Sequence, residues 1–107
     1  MKYIFDLSEA LKALSDPTRL KLIILLKKHG GALCVKGLAR KLGISQPAVS
    51  QHIRILKQTR LIKGRRFGCF MHYYVDTNIL EKHMEKLWNL LGCEDKQVPH
   101  GSENESE

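Results

Sequence analysis

The chain has 107 residues, of which 43% are hydrophobic, and a formal net charge of +7; that is the size of one small domain with an ordinary share of apolar residues. The charge is divided unevenly, with five acids and one base in residues 94–107 and seventeen bases against six acids in residues 1–93. The apolar run at 22–26 is far too short to span a bilayer, and residues 1–30 lack the charged start, long apolar centre and small-residue cleavage site of a secretory signal.

Three cysteines in a chain without an export signal argue for free thiols, ligands or redox sensors rather than a disulfide framework, and for a cytoplasmic protein. The expected organisation is a folded domain over residues 1–93 and an acidic, disordered tail over residues 94–107.

In chain order, Leu7, Ala10, Leu11 and Leu14 recur at helical spacing and predict a first helix over 7–14. Asp16 followed by Pro17 reads as an N-cap and first helical position. The second helix should run from 17 to about 29 with Leu20, Ile23 and Ile24 among its leucines. It is apolar nearly all round, which places it at the centre of the core. Gly30 and Gly31 end it, and His29 suits a helix C-terminus. Residues 32–34 read as a short extended piece.

A third helix over 35–42 buries Leu38, Ala39 and Leu42. Gly43 provides the turn, and Ser45 caps a fourth helix over 46–58 with Pro47 in its first turn. Val49, Ile53 and Leu56 of that helix point one way; Gln46, Ser50, Arg54 and Lys57 point another. Residues 61–66 and 70–75 are strand-like, and Phe67, Gly68 and Cys69 turn between them, giving a hairpin with a basic tip. The last helix should start near Asn78, where Asn78 and Glu81 resemble a capping box. Its stripe of Leu80, Met84, Leu87 and Leu91, flanked by Ile79, Trp88 and Leu90, is too wide for a monomer this small, so a second subunit is expected to cover it.

The predicted order is ααααββα, a mainly α fold with a β-hairpin wing: a dimeric winged helix-turn-helix. From Pro17 to Val75 there are thirteen Lys or Arg and no Asp or Glu. An acid-free stretch that coincides with a helix-turn-helix spacing points to a surface built to lie on phosphate. Gln46, Ser50 and Gln51 are the base-reading candidates, because glutamine pairs bidentately with adenine and serine meets several base edges. Ser45, Arg54, Lys57 and the wing residues Arg65 and Arg66 are candidates for phosphate or the minor groove. His52, between the polar and apolar faces, is expected to be structural rather than a reader of bases.

The segments ALSDPTRLKLIILL at 13–26 and LARKLGISQPAVSQHIRILKQTRLI at 38–62, with a hairpin ending in HYYV, resemble the ArsR/SmtB family of metal- or stress-responsive repressors. The likeness covers roughly residues 7–92. It implies a homodimer joined through its first and last helices, a palindromic double-stranded DNA operator, and release when an effector arrives.

The chain departs from the family's metal sensors at both of their sites. Where they carry Leu-Cys-Val-Cys, this chain has Leu33-Cys34-Val35-Lys36, and a lysine repels a cation. On the last helix the family's ligand positions begin here as Thr77-Asn78-Ile79, and only Cys93 at the far end could ligate. Cys34 and Cys93 are the remaining candidates for metal or metalloid. Three readings stay open: a shared arsenite or soft-metal site, a disulfide or polysulfide bridge, and small residues without a sensory role. Cys69 stands near the hairpin tip, too far away to join easily. No cofactor is required for the fold; a thiol-bound metalloid or metal would be an effector.

The rival reading is an architectural or constitutive nucleic-acid-binding winged helix with no effector. A protein-interaction winged helix has no need of a uniformly positive face. With no nucleophile–base pairing and no glycine-rich phosphate loop, an enzyme is not expected.

Overall fold

A computed structural model of the chain describes residues 3–92; Cys93 and the acidic segment 94–107 lie outside them. The elements are α1 (Tyr3–Leu14), α2 (Pro17–His29), α3 (Val35–Leu42), α4 (Gln46–Gln58), β1 (Ile62–Phe67), β2 (Phe70–Val75) and α5 (Thr77–Leu90). This is the expected winged helix-turn-helix.

Local chemistry sets most of the boundaries. The Asp16 carboxylate accepts from the backbone N–H of Arg19 at the start of α2, and the Ser45 hydroxyl accepts from that of Ala48 at the start of α4. Between α3 and α4, Gly43 takes a left-handed conformation (φ 69°), and its N–H donates to the Ala39 carbonyl at 2.9 Å. A side chain there would be strained, so glycine permits the sharp turn.

One core serves the whole fold. Leu22, Leu26, Leu38, Val49, Leu56, Leu61 and Ile62 are fully buried in it, with Ala10 and Ala13 from α1 closing one side. The hairpin is antiparallel, pairing Ile62 with Val75 and Phe67 with Phe70. Cys34 adds a single bridge to His72 on its outer edge and is itself extended, whereas Ala32 is still tied to the end of α2 by its N–H bond to the His29 carbonyl.

Several expectations need correction. Helix α1 begins at Tyr3, four residues before the predicted start. Helix α2 is not buried all round: Leu22, Ile23 and Leu26 are inside, whereas Leu20 and Ile24 are 47% and 57% exposed. Strand β1 is shifted by one residue, because Phe67 pairs with Phe70 and leaves a two-residue turn at Gly68 and Cys69. The cap of α5 is Asp76, whose carboxylate accepts from Ile79 N–H at 3.2 Å; Asn78 lies within the helix and does not cap it. Among the described residues no helix is long and apolar enough to cross a membrane.

Candidate nucleic-acid interface

Helices α3 and α4 pack on the core so that α4 buries Val49, Ile53 and Leu56 and leaves Gln46, Ser50, Gln51, Arg54 and Lys57 exposed. The 3.6-residue period produces this separation. The exposed residues form a continuous polar and cationic strip that begins at the helix N-terminus. Ser45 caps the helix at its head. Its oxygen is occupied by Ala48 N–H at 3.2 Å, but its hydroxyl proton remains available to an acceptor.

The hairpin register sorts the wing residues. Strand side chains alternate between faces, and cross-strand partners share one. Arg66 pairs with Met71 and Gly64 with Tyr73; this face looks toward α4, where Lys57 Nζ lies 5.9 Å from the Tyr73 ring centroid. Arg65 pairs with His72 and projects from the opposite face. There its guanidinium donates to the Tyr74 hydroxyl at 3.4 Å and lies 5.4 Å from that ring's centroid. It borders a hollow lined also by Lys27, Phe67, His72 and Thr77. The structure therefore sets Ser50, Arg54 and Lys57 of α4 around Tyr73, on the hairpin face that carries Arg66, with Arg65 on the opposite face.

The carboxylates at either end of the acid-free stretch are already committed. Asp16 is held below its ordinary range, chiefly by the Arg19 N–H it caps. Asp76 is lowered chiefly by Lys63, whose ammonium sits 3.0 Å away, and then by the Ile79 amide. Neither is free to neutralise the basic face.

His52 lies on the flank of α4 that meets α2. Its Nδ1 is 3.2 Å from the guanidinium of Arg19, which also donates to the Ala13 carbonyl at 2.7 Å. Sequence reading did not single out Arg19; its only signal was its place in the DPTR segment.

Of the two candidate thiols, Cys34 stands at the N-cap position of α3, half-buried. The N–H of Gly37, and after it that of Lys36, lower its pKa against the opposing effect of burial, although sulfur closes no full capping hydrogen bond. Cys93 lies outside the described residues. Cys69 is exposed in the hairpin turn. Among the described residues, no three His, Cys, Asp or Glu side chains gather into a metal-holding group. His72 is engaged: its Nδ1 is 2.9 Å from the Gly31 carbonyl.

Comparison with known proteins matches residues 16–63 to the family described as bacterial regulatory protein, arsR family. The chain is similar to the transcriptional repressor SdpR of Bacillus subtilis, with 35% identity over 92 residues, covering 86% of this chain and 100% of that one. It is 34% identical over 90 residues to the arsenical resistance operon repressor of Escherichia coli, covering 81% of this chain and 74% of that one. In fold it resembles a homodimeric winged helix-turn-helix DNA-binding domain from Mycobacterium bovis, with a TM-score of 0.69 and 20% identity, covering 92% of this chain and 91% of that one.

Proposed function

The chain belongs to the arsR family of bacterial regulatory proteins, and on that premise we propose that it is a repressor that binds a palindromic operator as a homodimer and leaves it when an effector arrives. It is a DNA-binding regulator and not an enzyme. The observation that carries the proposal is the exposed strip of amide, hydroxyl and cationic side chains on α4, set beside a basic wing with no carboxylate between Pro17 and Val75.

In this reading α4 lies in the major groove. Gln46, Ser50 and Gln51 face base edges, and Ser45, Arg54 and Lys57 hold phosphate. A wing entering the adjacent minor groove would present Arg66 to one phosphate wall and Arg65 to the other. Dimerisation through α1 and α5 is supported by their shared apolar surface. Tyr3, Ile4 and Phe5 of α1 and Met84 and Leu90 of α5 are exposed, as is Leu91 just beyond it, and α5 has no buried residue. Lys86 Nζ, 4.8 Å from the Tyr3 ring centroid, sets the start of α1 beside α5. We place the protein in the cytoplasm, where its DNA is.

For the effector, Cys34 and Cys93 are the thiols on which arsenite, a soft metal or a thiol-oxidising species would act. Cys34 supports this reading by standing where backbone amides favour the thiolate, the reactive and ligating form.

Selection of duplexes from a random pool tests the proposal. The expected product is a two-fold symmetric sequence with half-sites separated by about one helical turn, roughly 10 bp, or a multiple, occupied by two protomers. Recovery of no sequence preference would instead favour an architectural winged helix that coats DNA.

A further inference from the structure

Arg19 makes three separate hydrogen bonds that join three elements. Its backbone N–H donates to the Asp16 carboxylate at 3.0 Å, its Nε to the Ala13 carbonyl at 2.7 Å, and its Nη1 reaches His52 Nδ1 at 3.2 Å. Each partner explains one part of the geometry. Ala13 lies in the last turn of α1, where backbone carbonyls have no partner within the helix. Asp16 fixes the backbone of Arg19 at the first turn of α2. His52 lies on α4, one residue after Gln51 and two after Ser50.

A guanidinium only donates and keeps its proton under all ordinary conditions. Nδ1 of His52 must therefore be the acceptor, and the neutral ring must carry its proton on Nε2. The contact is directional: a ring with its proton on Nδ1 would place N–H against N–H. Arginine can hold two acceptors at once because its donors form a rigid planar fork. Lysine has one charged atom and cannot reproduce the fork.

We propose that Arg19 is a positioning residue for DNA binding: it ties the end of α1 to the recognition helix α4 through His52 and holds Nδ1 of that histidine as a hydrogen-bond acceptor. The inference rests on the DNA-regulator reading above and assigns no base contact to either residue. The fork spans the junction between the helix proposed for the dimer interface and the helix proposed to enter the groove. It thereby fixes the spacing at which two recognition helices of a dimer are presented.

Two measurements test this. The first is the two-bond nitrogen–proton NMR correlation of the His52 ring in the free protein at about pH 8, above the usual histidine range. The wild type should show an unprotonated Nδ1 and a protonated Nε2, and Arg19→Lys should show a mixture of tautomers. The second is affinity for the duplex that the wild type selects from a random pool, beside a scrambled duplex of the same composition. Arg19→Lys and His52→Phe should each lose about tenfold on the selected duplex, the equivalent of one charge-assisted hydrogen bond. The double variant should lose no more than either alone. His52→Asn, which places an amide oxygen near the Nδ1 position, should recover most of the affinity.

A wild-type ring protonated on Nδ1 would overturn the proposal. So would losses that add fully in the double variant, or an Asn variant no better than Phe. A wild type with no duplex preference would overturn the positioning role together with the reading it rests on; the His52 tautomer, measured without DNA, separates that failure from a failure of the Arg19 contact itself.

Discussion

Arg65 and Arg66 are neighbours on β1 but leave the wing in opposite directions, Arg65 beside His72 and Arg66 beside Met71. Two cations that share no partner should act independently. Each Arg→Ala substitution should weaken binding to every duplex and lower the slope of log affinity against log salt by about one unit, and the pair by about two. Binding isotherms over a salt series check this. A double variant with the slope of a single one would show that only one arginine meets phosphate.

The turn out of α4 holds a strained residue. Arg60 has φ 63°, the only positive value outside glycine among the described residues. Its N–H donates to Lys57 O at 2.9 Å, and Leu61 N–H donates to Leu56 O at 3.2 Å. This pair of bonds closes a helix with a left-handed residue at the position that glycine usually takes. Arg60→Gly should stabilise the fold by up to about 1 kcal/mol in urea unfolding, because relief of the left-handed strain exceeds the added chain entropy. A destabilised variant would mean that the Arg60 side chain contributes more than its backbone costs.

Gly64 is required by packing. A Cβ there would come within 2.8 Å of Met71 Cε and 2.9 Å of the Tyr73 ring. The methionine end can move, but Tyr73 packs against the core. Gly64→Ala should therefore cost about 1–3 kcal/mol, the usual range for overpacking, and should alter the Tyr73 ring signals in NMR. Unchanged stability would show that Tyr73 yields freely.

Acid should loosen the fold at two helix starts. Asp16 and Asp76 both have depressed pKa values, the first through the Arg19 amide and the second through Lys63. A carboxylate whose folded pKa lies below its unfolded value stabilises the fold at pH values above the unfolded one. That contribution is lost as pH falls through the folded pKa. Stability should thus decline from about pH 4 downward, and Asp76→Asn should show a shallower decline than the wild type. Identical acid limbs would show that Asp76 does not contribute to the acid response.

Cys34 should behave as an activated thiol. With the amides of Gly37 and Lys36 favouring its thiolate, its alkylation rate should reach half-maximum at a pH below the ordinary thiol range. A rate profile at or above that range would show that burial outweighs the amides.

What the sequence revealed and what it hid follow from locality. The caps Asp16 and Ser45 and the turn at Gly43 depend on residues within one helical turn, so their chemistry was legible. The two faces of α4 were legible because Val49, Ile53 and Leu56 keep a strict period. The start of α5 was not. Asn78 and Glu81 fit a local capping pattern, but Asp76 prevails, held also by Lys63 across the hairpin. Likewise the exposure of Leu20 and Ile24 depends on which elements cover α2. The separation of Arg65 from Arg66 depends on strand register, and the Arg19–His52 contact joins residues 33 positions apart.

The proposed operator recognition depends on base reading by α4. The most direct measurement is the affinity of Gln46→Ala and Ser50→Ala, beside Arg66→Ala, for the duplex selected by the wild type and for a scrambled duplex. Arg66→Ala should weaken both duplexes alike. Gln46→Ala should weaken mainly the selected one, by about 1–3 kcal/mol for a bidentate contact, and Ser50→Ala should do so by less. Equal losses on both duplexes for all three variants would contradict sequence reading by this helix.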